Sequence, residues 1–431
     1  MKQRSTLGRM VVITAFIAVV GAGCSGAAAT PTATASVTQP PATAIAGSPL
    51  PSVASSATAG TASLIKYLNT TTTCQGAVPD AFFSEQECEK QLTERTAVPS
   101  GPVDQPWLQM INPNMVDTTK YKKNGPYKIC VSEAGENNAW RVVGWEVMQA
   151  EAAIEGVTLD HVIANGADDK QISDIADLVK NGHCSALVIS PNSTAALTPA
   201  VEQACASGIP VVIFDRGVTT NCPVSFVHPI GGYAFGASSA EYIASVVPAG
   251  SKIVALRILP GVDVLETRWL GAQAVFAQHN ITVVESQFDN SDASQAKTIV
   301  SDALDKNNNQ IAAVWADSGF ASVAVSEVFE DRGLKMVPVI GEDQNDFLQK
   351  WSQNPSYPWF ASTYPTYQWR TAIIAATDIL KGVSVPSEWI LPQGVVTTAN
   401  LSNSLFPNMP PDFQASCGCQ TMPGWPADFQ K

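Results

Sequence analysis

The sequence predicts an α/β protein of two similar lobes, each a parallel sheet with helices on both faces. Three observations predict it. From Tyr127 to Asp343, short β-branched runs alternate with amphipathic runs of helical period, the signature of parallel strands joined by crossover helices. The alternation comes as two runs, each of about one domain's length. The runs also echo each other: Ile209-Pro-Val-Val-Ile213 leads to Asp215, and Val337-Pro-Val-Ile340 leads to Asp343. Ligands in open sheets of this kind sit beyond the strands' carboxyl ends. Two facing lobes with polar strand ends therefore imply a cleft between them.

The chain begins with Lys2, Arg4 and Arg9, followed by an apolar stretch, Met10 to Val20. That stretch is too short to span a bilayer, so residues 1–23 read as an export signal. Gly21-Ala22-Gly23-Cys24 resembles the bacterial lipobox, with Gly21 where that motif usually has Leu. The resemblance implies lipidation of Cys24. Residues 24–62 are mostly Ala, Thr, Ser and Pro with no charge, a composition that cannot bury a core and reads as a disordered tether. Residues 63–124 are an accessory extension with one helix, Ser84 to Thr93.

Strands are then predicted at Tyr127–Ser132, Leu159–Ala164, Ala186–Ser190, Val211–Phe214 and Ser225–His228. Helices fall between them at Trp140–Glu155, with Val143, Val147, Ala150 and Ile154 on one face, and at Asp169–Asn181. A third opens at Pro191 to Thr194 and ends at Ser207-Gly208. The second run predicts helices over Gly231–Val247, Val264–His279, Ser294–Lys306 and Phe320–Arg332. Its strands are Lys252–Ile258, Ile281–Gln287, Ile311–Trp315 and Met336–Ile340.

Charge and cysteines narrow the function. The 431 residues carry 38 acidic and 25 basic side chains, a net −13, which argues against nucleic-acid partners. Apart from Cys24, eight cysteines remain; an even number in an exported chain suggests disulfides. Cys74 and Cys88 are close enough in sequence to pair locally. Two of Cys184, Cys205 and Cys222 could staple one βαβ region, and spacing does not settle which. Cys417-Gly-Cys419 lacks a second pair at metal-finger spacing, so no metal is expected; the tail containing it could strap a lobe through a disulfide. No Gly-x-Ser-x-Gly elbow, phosphate loop or Asp-rich calcium loop occurs, so neither an enzyme nor a cofactor is expected.

The decisive stretch is Gly208-Ile-Pro-Val-Val-Ile-Phe-Asp-Arg216. With it go Asp169-Lys-Gln171, Arg268-Trp-Leu-Gly271, Ala316-Asp317, Gly341-Glu-Asp343 and Pro365 followed by a helix to Lys381-Gly382. Over roughly Tyr127 to Gly394 these resemble the type I periplasmic-binding-protein family, in particular the ribose and other monosaccharide binders of bacterial ABC importers. The resemblance implies two Rossmann-like lobes joined by a three-crossover hinge near Pro229, Thr363–Pro365 and Leu391–Gly394. Lobe 1 would be 125–229 plus 366–392, lobe 2 would be 230–365 plus 393–412, and 413–431 a tail. It also implies a ligand set. Asp215, Arg216 and Arg268 would bond sugar hydroxyls, Asp343 would be the second lobe's strand-end acid, and Asp317 would contribute beside it. Asn138 and Trp140 would flank the ring, with Thr363 and Tyr364 at the second crossover. Carboxylates accept from vicinal hydroxyls and a guanidinium donates in a planar fork, so the residue types suit a sugar. The implied protein is a monomer, lipid-anchored at a membrane, that hands a monosaccharide to an ABC permease. Other readings of the same lobes are a receptor coupled to a chemoreceptor or sensor kinase, and a binder of an amino acid, nucleoside or autoinducer. A repressor would need a basic helix-turn-helix where this chain has its signal and tether.

Overall fold

The computed structural model describes residues 72–74, 80–136 and 138–430. The expected export signal, the Cys24 lipidation site and the tether lie outside the described residues. Among the described residues, no helix is long and apolar enough to cross a membrane.

Two six-stranded sheets organise the body. The first contains β2 (Lys128–Glu133), β3 (Thr158–Ile163), β4 (Ala186–Ile189), β5 (Val211–Phe214), β6 (Ser225–Pro229) and β13 (Glu388–Leu391). Its order is β13-β6-β5-β4-β2-β3, parallel throughout. The second contains β7 (Lys252–Arg257), β8 (Thr282–Phe288), β9 (Ala313–Ala316), β10 (Val339–Gly341), β11 (Trp359–Ser362) and β14 (Val395–Val396). Its order is β14-β11-β10-β9-β7-β8, with β14 antiparallel at the edge. All four residues of β5 are buried, as they are in β4 and β9. Helices cover both faces of these strands, which is why their sequences run continuously apolar instead of alternating.

The helices follow the predicted order: α2 (Ala139–Glu155), α3 (Asp168–Asn181) and α4 (Thr194–Ala206) in the first lobe. α5 (Gly232–Val246), α6 (Asp263–Gln278), α7 (Ala293–Lys306), α8 (Gly319–Asp331) and α9 (Asn345–Gln353) belong to the second, and α10 (Gln368–Lys381) returns to the first. Asn138 caps α2 by accepting from the Arg141 amide, and Gly156 ends that helix in the left-handed conformation that a glycine adopts without cost. The fold class predicted from sequence is the one observed. α9 and strands β11, β13 and β14 were not predicted, and β10 starts three residues later than its apolar run.

The chain passes between the sheets three times: after β6, after β11 and after β13. These crossings are tied together. The Gln393 side chain accepts from the Gly231 amide (3.1 Å) and donates to the Thr363 carbonyl (3.1 Å). Thr363 and Gly394 exchange further bonds, amide to carbonyl at 3.0 Å and amide to Oγ1 at 3.0 Å.

Two further segments bridge the lobes. α1 (Glu85–Glu94), capped by Ser84, packs on α5 of the second lobe. There the buried Arg95 meets Glu241 at 2.9 Å, and the Tyr233 hydroxyl donates to the Phe82 carbonyl at 2.8 Å. The same extension then crosses to the first lobe. Trp107 enters that lobe's core, Ile111 donates to the Ile390 carbonyl at 2.9 Å, and β1 (Met115–Val116) pairs with β12 (Val385–Pro386). At the other end, Leu401 and Leu405 join the second lobe's core, whereas Met409, Phe413, Met422 and Phe429 join the first's. A strap therefore begins near Phe406, ahead of the expected boundary at 412/413.

Among the described residues four disulfides link Cys74–Cys88, Cys130–Cys184, Cys205–Cys222 and Cys417–Cys419. The first and third are pairings the sequence allowed; Cys130 as partner of Cys184 was not foreseen. The tail cysteines bond each other, so the strap is not held by a disulfide to a lobe. Gly418, at φ +64°, turns the chain so that the two thiols meet.

Candidate functional site

Each sheet reverses strand order once, between β2 and β4 and between β7 and β9. The carboxyl ends of both sets of strands face a cavity of about 670 Å³ between the lobes, within the range of small-molecule sites.

The first-lobe wall is a buried charge network. Asp215, just past β5, sits in the left-handed region at φ 67°, a conformation that costs a non-glycine residue about 1 kcal/mol or more. Its carboxylate takes Arg141 Nη2 at 3.0 Å, Ser190 Oγ at 3.3 Å and the Tyr364 hydroxyl at 3.2 Å. Arg216 Nε stands 3.6 Å from the same carboxylate, and its Nη1 donates to the Asn192 carbonyl at 2.6 Å. Arg141 also pairs with Glu133 behind the wall, where burial pushes the Glu133 carboxyl up to about 7 despite that arginine.

The second-lobe wall centres on Arg268, projected by α6. Its Nη1 donates to the Asp317 carbonyl at 2.8 Å and pairs with Glu342 at 2.9 Å. Its guanidinium lies between the rings of Phe235 and Tyr364, at 4.0 and 4.6 Å from their centroids. Its Nε has no partner among the described residues. Burial raises the Glu342 carboxyl to about 7, against the pull of Arg268. Across the cleft, the Gly217 amide donates to Asp263 Oδ2 at 2.8 Å, a direct bond from lobe to lobe. Burial lifts the Asp263 carboxyl to about 6. Trp140, Tyr364 and Phe320 supply aromatic faces to the cavity; Trp140 Nε1 donates to the Tyr364 carbonyl at 2.9 Å.

Of the residues predicted for the site, Asp215, Arg216, Arg268, Asn138, Trp140 and Tyr364 line one cavity. Three do not. Asp343 turns away, its Oδ2 accepting from the Ser416 amide at 2.7 Å and its carbonyl from Ala415 at 2.9 Å. Side chains alternate past a strand end, and its neighbour Glu342 takes the cavity side. Asp317 is fully buried behind Arg268, its carboxyl pushed up to about 7 by burial. Thr363 belongs to the hinge. Sequence reasoning missed Arg141, Asn192, Glu342 and Phe320, and the strap residues Asp412 and Gln414, all on the cavity wall. Asn192 carried a signal, since it follows the carboxyl end of the strand Ala186–Ile189 as Asp317 follows that of Ala313–Ala316.

The model of the periplasmic binding protein domain matches residues 129–384. The chain belongs to that family. This periplasmic binding protein is 28% identical over 259 residues to the ribose import binding protein of Bacillus subtilis, covering 60% of the present chain and 83% of that relative. It is 28% identical over 189 residues to the D-xylose-binding periplasmic protein of Haemophilus influenzae, covering 42% and 55%. Among solved structures it resembles an ABC transporter solute binding protein from Mycobacterium smegmatis with bound glycerol. That match has 27% identity and a TM-score of 0.59, and spans 65% of this chain and 98% of the other. The family match starts after the N-terminal extension and stops before β13, β14 and the C-terminal strap.

Proposed function

We propose that this is an extracytoplasmic solute-binding lipoprotein that captures a monosaccharide between its lobes and delivers it to an ABC importer. The observation that carries the reading is the pair of opposed walls, Asp215 with Arg141 and Arg216 on one side and Arg268 with Glu342 on the other. All but the half-buried Arg216 are buried, and aromatic faces stand between the walls. Fixed carboxylates and guanidinium forks match alternating hydroxyls, and the rings cover the apolar faces of a sugar. Asp317, Asp343 and Thr363 act behind that surface, as supports of Arg268, of the strap and of the hinge. The similarity to ribose and xylose binders supports the ligand class, and the basic and apolar N-terminus ending at Cys24 supports export and a lipid anchor. Ligand that contacts both lobes shifts the population toward the closed form, which is the form a permease would meet.

Isothermal titration and tryptophan emission, with D-ribose, D-xylose, L-arabinose, D-fructose and D-allose as probes, test this. At least one sugar should bind wild type, and Asp215→Asn should weaken it by about tenfold or more. No response to any of the sugars would overturn the reading.

A further inference from the structure

We propose that the C-terminal strap forms a third wall of the ligand site, where Gln414 and Asp412 contact the ligand and set which isomer is preferred. The inference rests on the reading of the cavity as a ligand site. Neither lobe's βα units nor the segment matched to the family includes these residues, yet both line the cavity.

Gln414 is 3% exposed, and its Oε1 has no partner among the described residues. Its backbone forms an antiparallel bridge with Gln344, which also lines the cavity. The bridge occupies the main chain and leaves the amide side chain at the wall. Buried polar atoms are nearly always satisfied, so a carbonyl oxygen held there is a ready acceptor for a ligand hydroxyl. Asp412, two residues away and exposed, adds a carboxylate at the rim, where this cavity adjoins a smaller one of about 340 Å³.

The strap is held rigidly enough to act as a wall. Asn345 Nδ2 donates to the carbonyls of Phe406, Met409 and Pro410, each at 3.0 Å. The Asn345 and Asp346 amides donate to Phe413 and Pro411 at 2.8 and 2.7 Å. On the other lobe, Arg370 Nη1 donates to the Gly418 carbonyl at 3.0 Å, and the ring closed by Cys417–Cys419 is buried. A group fixed from both sides cannot relax to suit a different isomer, and that rigidity is what makes a contact selective.

The test uses the full chain and the five sugars above, with amino acids and nucleosides added. Gln414→Met keeps side-chain length and removes the amide; Asp412→Asn, at an exposed position, keeps the shape and removes the charge. Gln414→Met is expected to weaken the best-bound ligand by about tenfold and to change the order of affinities among the sugars, with the melting temperature little changed. A role in packing alone would lower stability or scale all affinities together, and that result would overturn the inference, as would wild-type affinities and order in both variants. A wild type that ignores sugars but binds an amino acid or nucleoside overturns only the sugar reading, and the same two variants then decide the strap against that ligand. A wild type silent to every probe overturns both.

Discussion

Asp215 is held at a backbone conformation unfavourable for a side chain and surrounded by four donors. The network holds its carboxylate in one orientation before any ligand arrives. Arg268 is comparably fixed, stacked between two rings and bonded to a carbonyl and a carboxylate. A lysine has no planar fork, so Arg268→Lys should lower ligand affinity by about tenfold or more while the protein still folds, as titration calorimetry would show. Asp263 gives a pH dependence. Its carboxyl lies near 6 in the folded protein against an ordinary 3.8, so the folded form binds the proton more tightly than the unfolded chain. That contribution to stability is complete below the ordinary value and is lost as pH rises through about 6. The melting temperature should therefore fall from about pH 5 to pH 7.5, and Asp263→Asn should make shallower a slope to which Glu133 and Glu342, also raised by burial, contribute. At this scale the sequence was partly legible. Asp215 and Arg216 followed from the strand-end rule, and Arg268 from the family resemblance. Arg141 was not legible, because an arginine in a helix's first turn is ordinarily solvated. Glu342 and Asp343 were exchanged because strand β10 ends one residue later than its apolar run suggests.

Helices α5 and α6 show how elements set the site. They cross at glycines: a Cβ on Gly236 would fall 1.8 Å from the Arg268 carbonyl, and one on Gly271 would fall 2.5 Å from the Tyr233 carbonyl. Backbone atoms cannot swing aside as a side chain can, so Gly236→Ala must move α6 and Arg268 with it. It is expected to cost about 1–3 kcal/mol of stability in a denaturant titration and to weaken ligand binding as well. Helices α2 to α8 and the long strands were readable from period and caps, α10 from the family resemblance, and α9 was not. β11, β13 and β14 were not, since runs of two to four residues carry no period, and their place in the sheets is decided by tertiary pairing.

On the scale of the whole molecule, the N-terminal extension and the C-terminal strap each touch both lobes. The extension depends on Arg95, paired with Glu241 where both side chains are almost wholly buried. Arg95→Ala would take the ion-pair partner from the buried Glu241 carboxylate and leave it the Thr72 hydroxyl at 2.6 Å, a loss of about 3–5 kcal/mol, visible as a lower melting temperature and earlier cleavage of the extension by protease. Of this the sequence showed only the helix near Ser84 to Thr93 and a tail that could strap a lobe; the contacts of both segments with both lobes were not visible. The extension has no helical or strand period beyond α1, and its apolar residues, Trp107 and Ile111 among them, are spaced singly because each fills a separate gap in a surface built by other segments.

The strap's double attachment has an energetic consequence for ligand binding. A hinge with three free crossings can swing at small cost, but here opening must also break bonds between the strap and one lobe, such as those from Asn345. The apparent dissociation constant of a ligand equals its intrinsic value divided by the fraction of molecules already competent. Bonds that disfavour the open form therefore tighten binding without touching the ligand until the competent form predominates. Such a binding protein would be suited to scarce ligand, with its working range set by the tail as much as by the residues around the cavity.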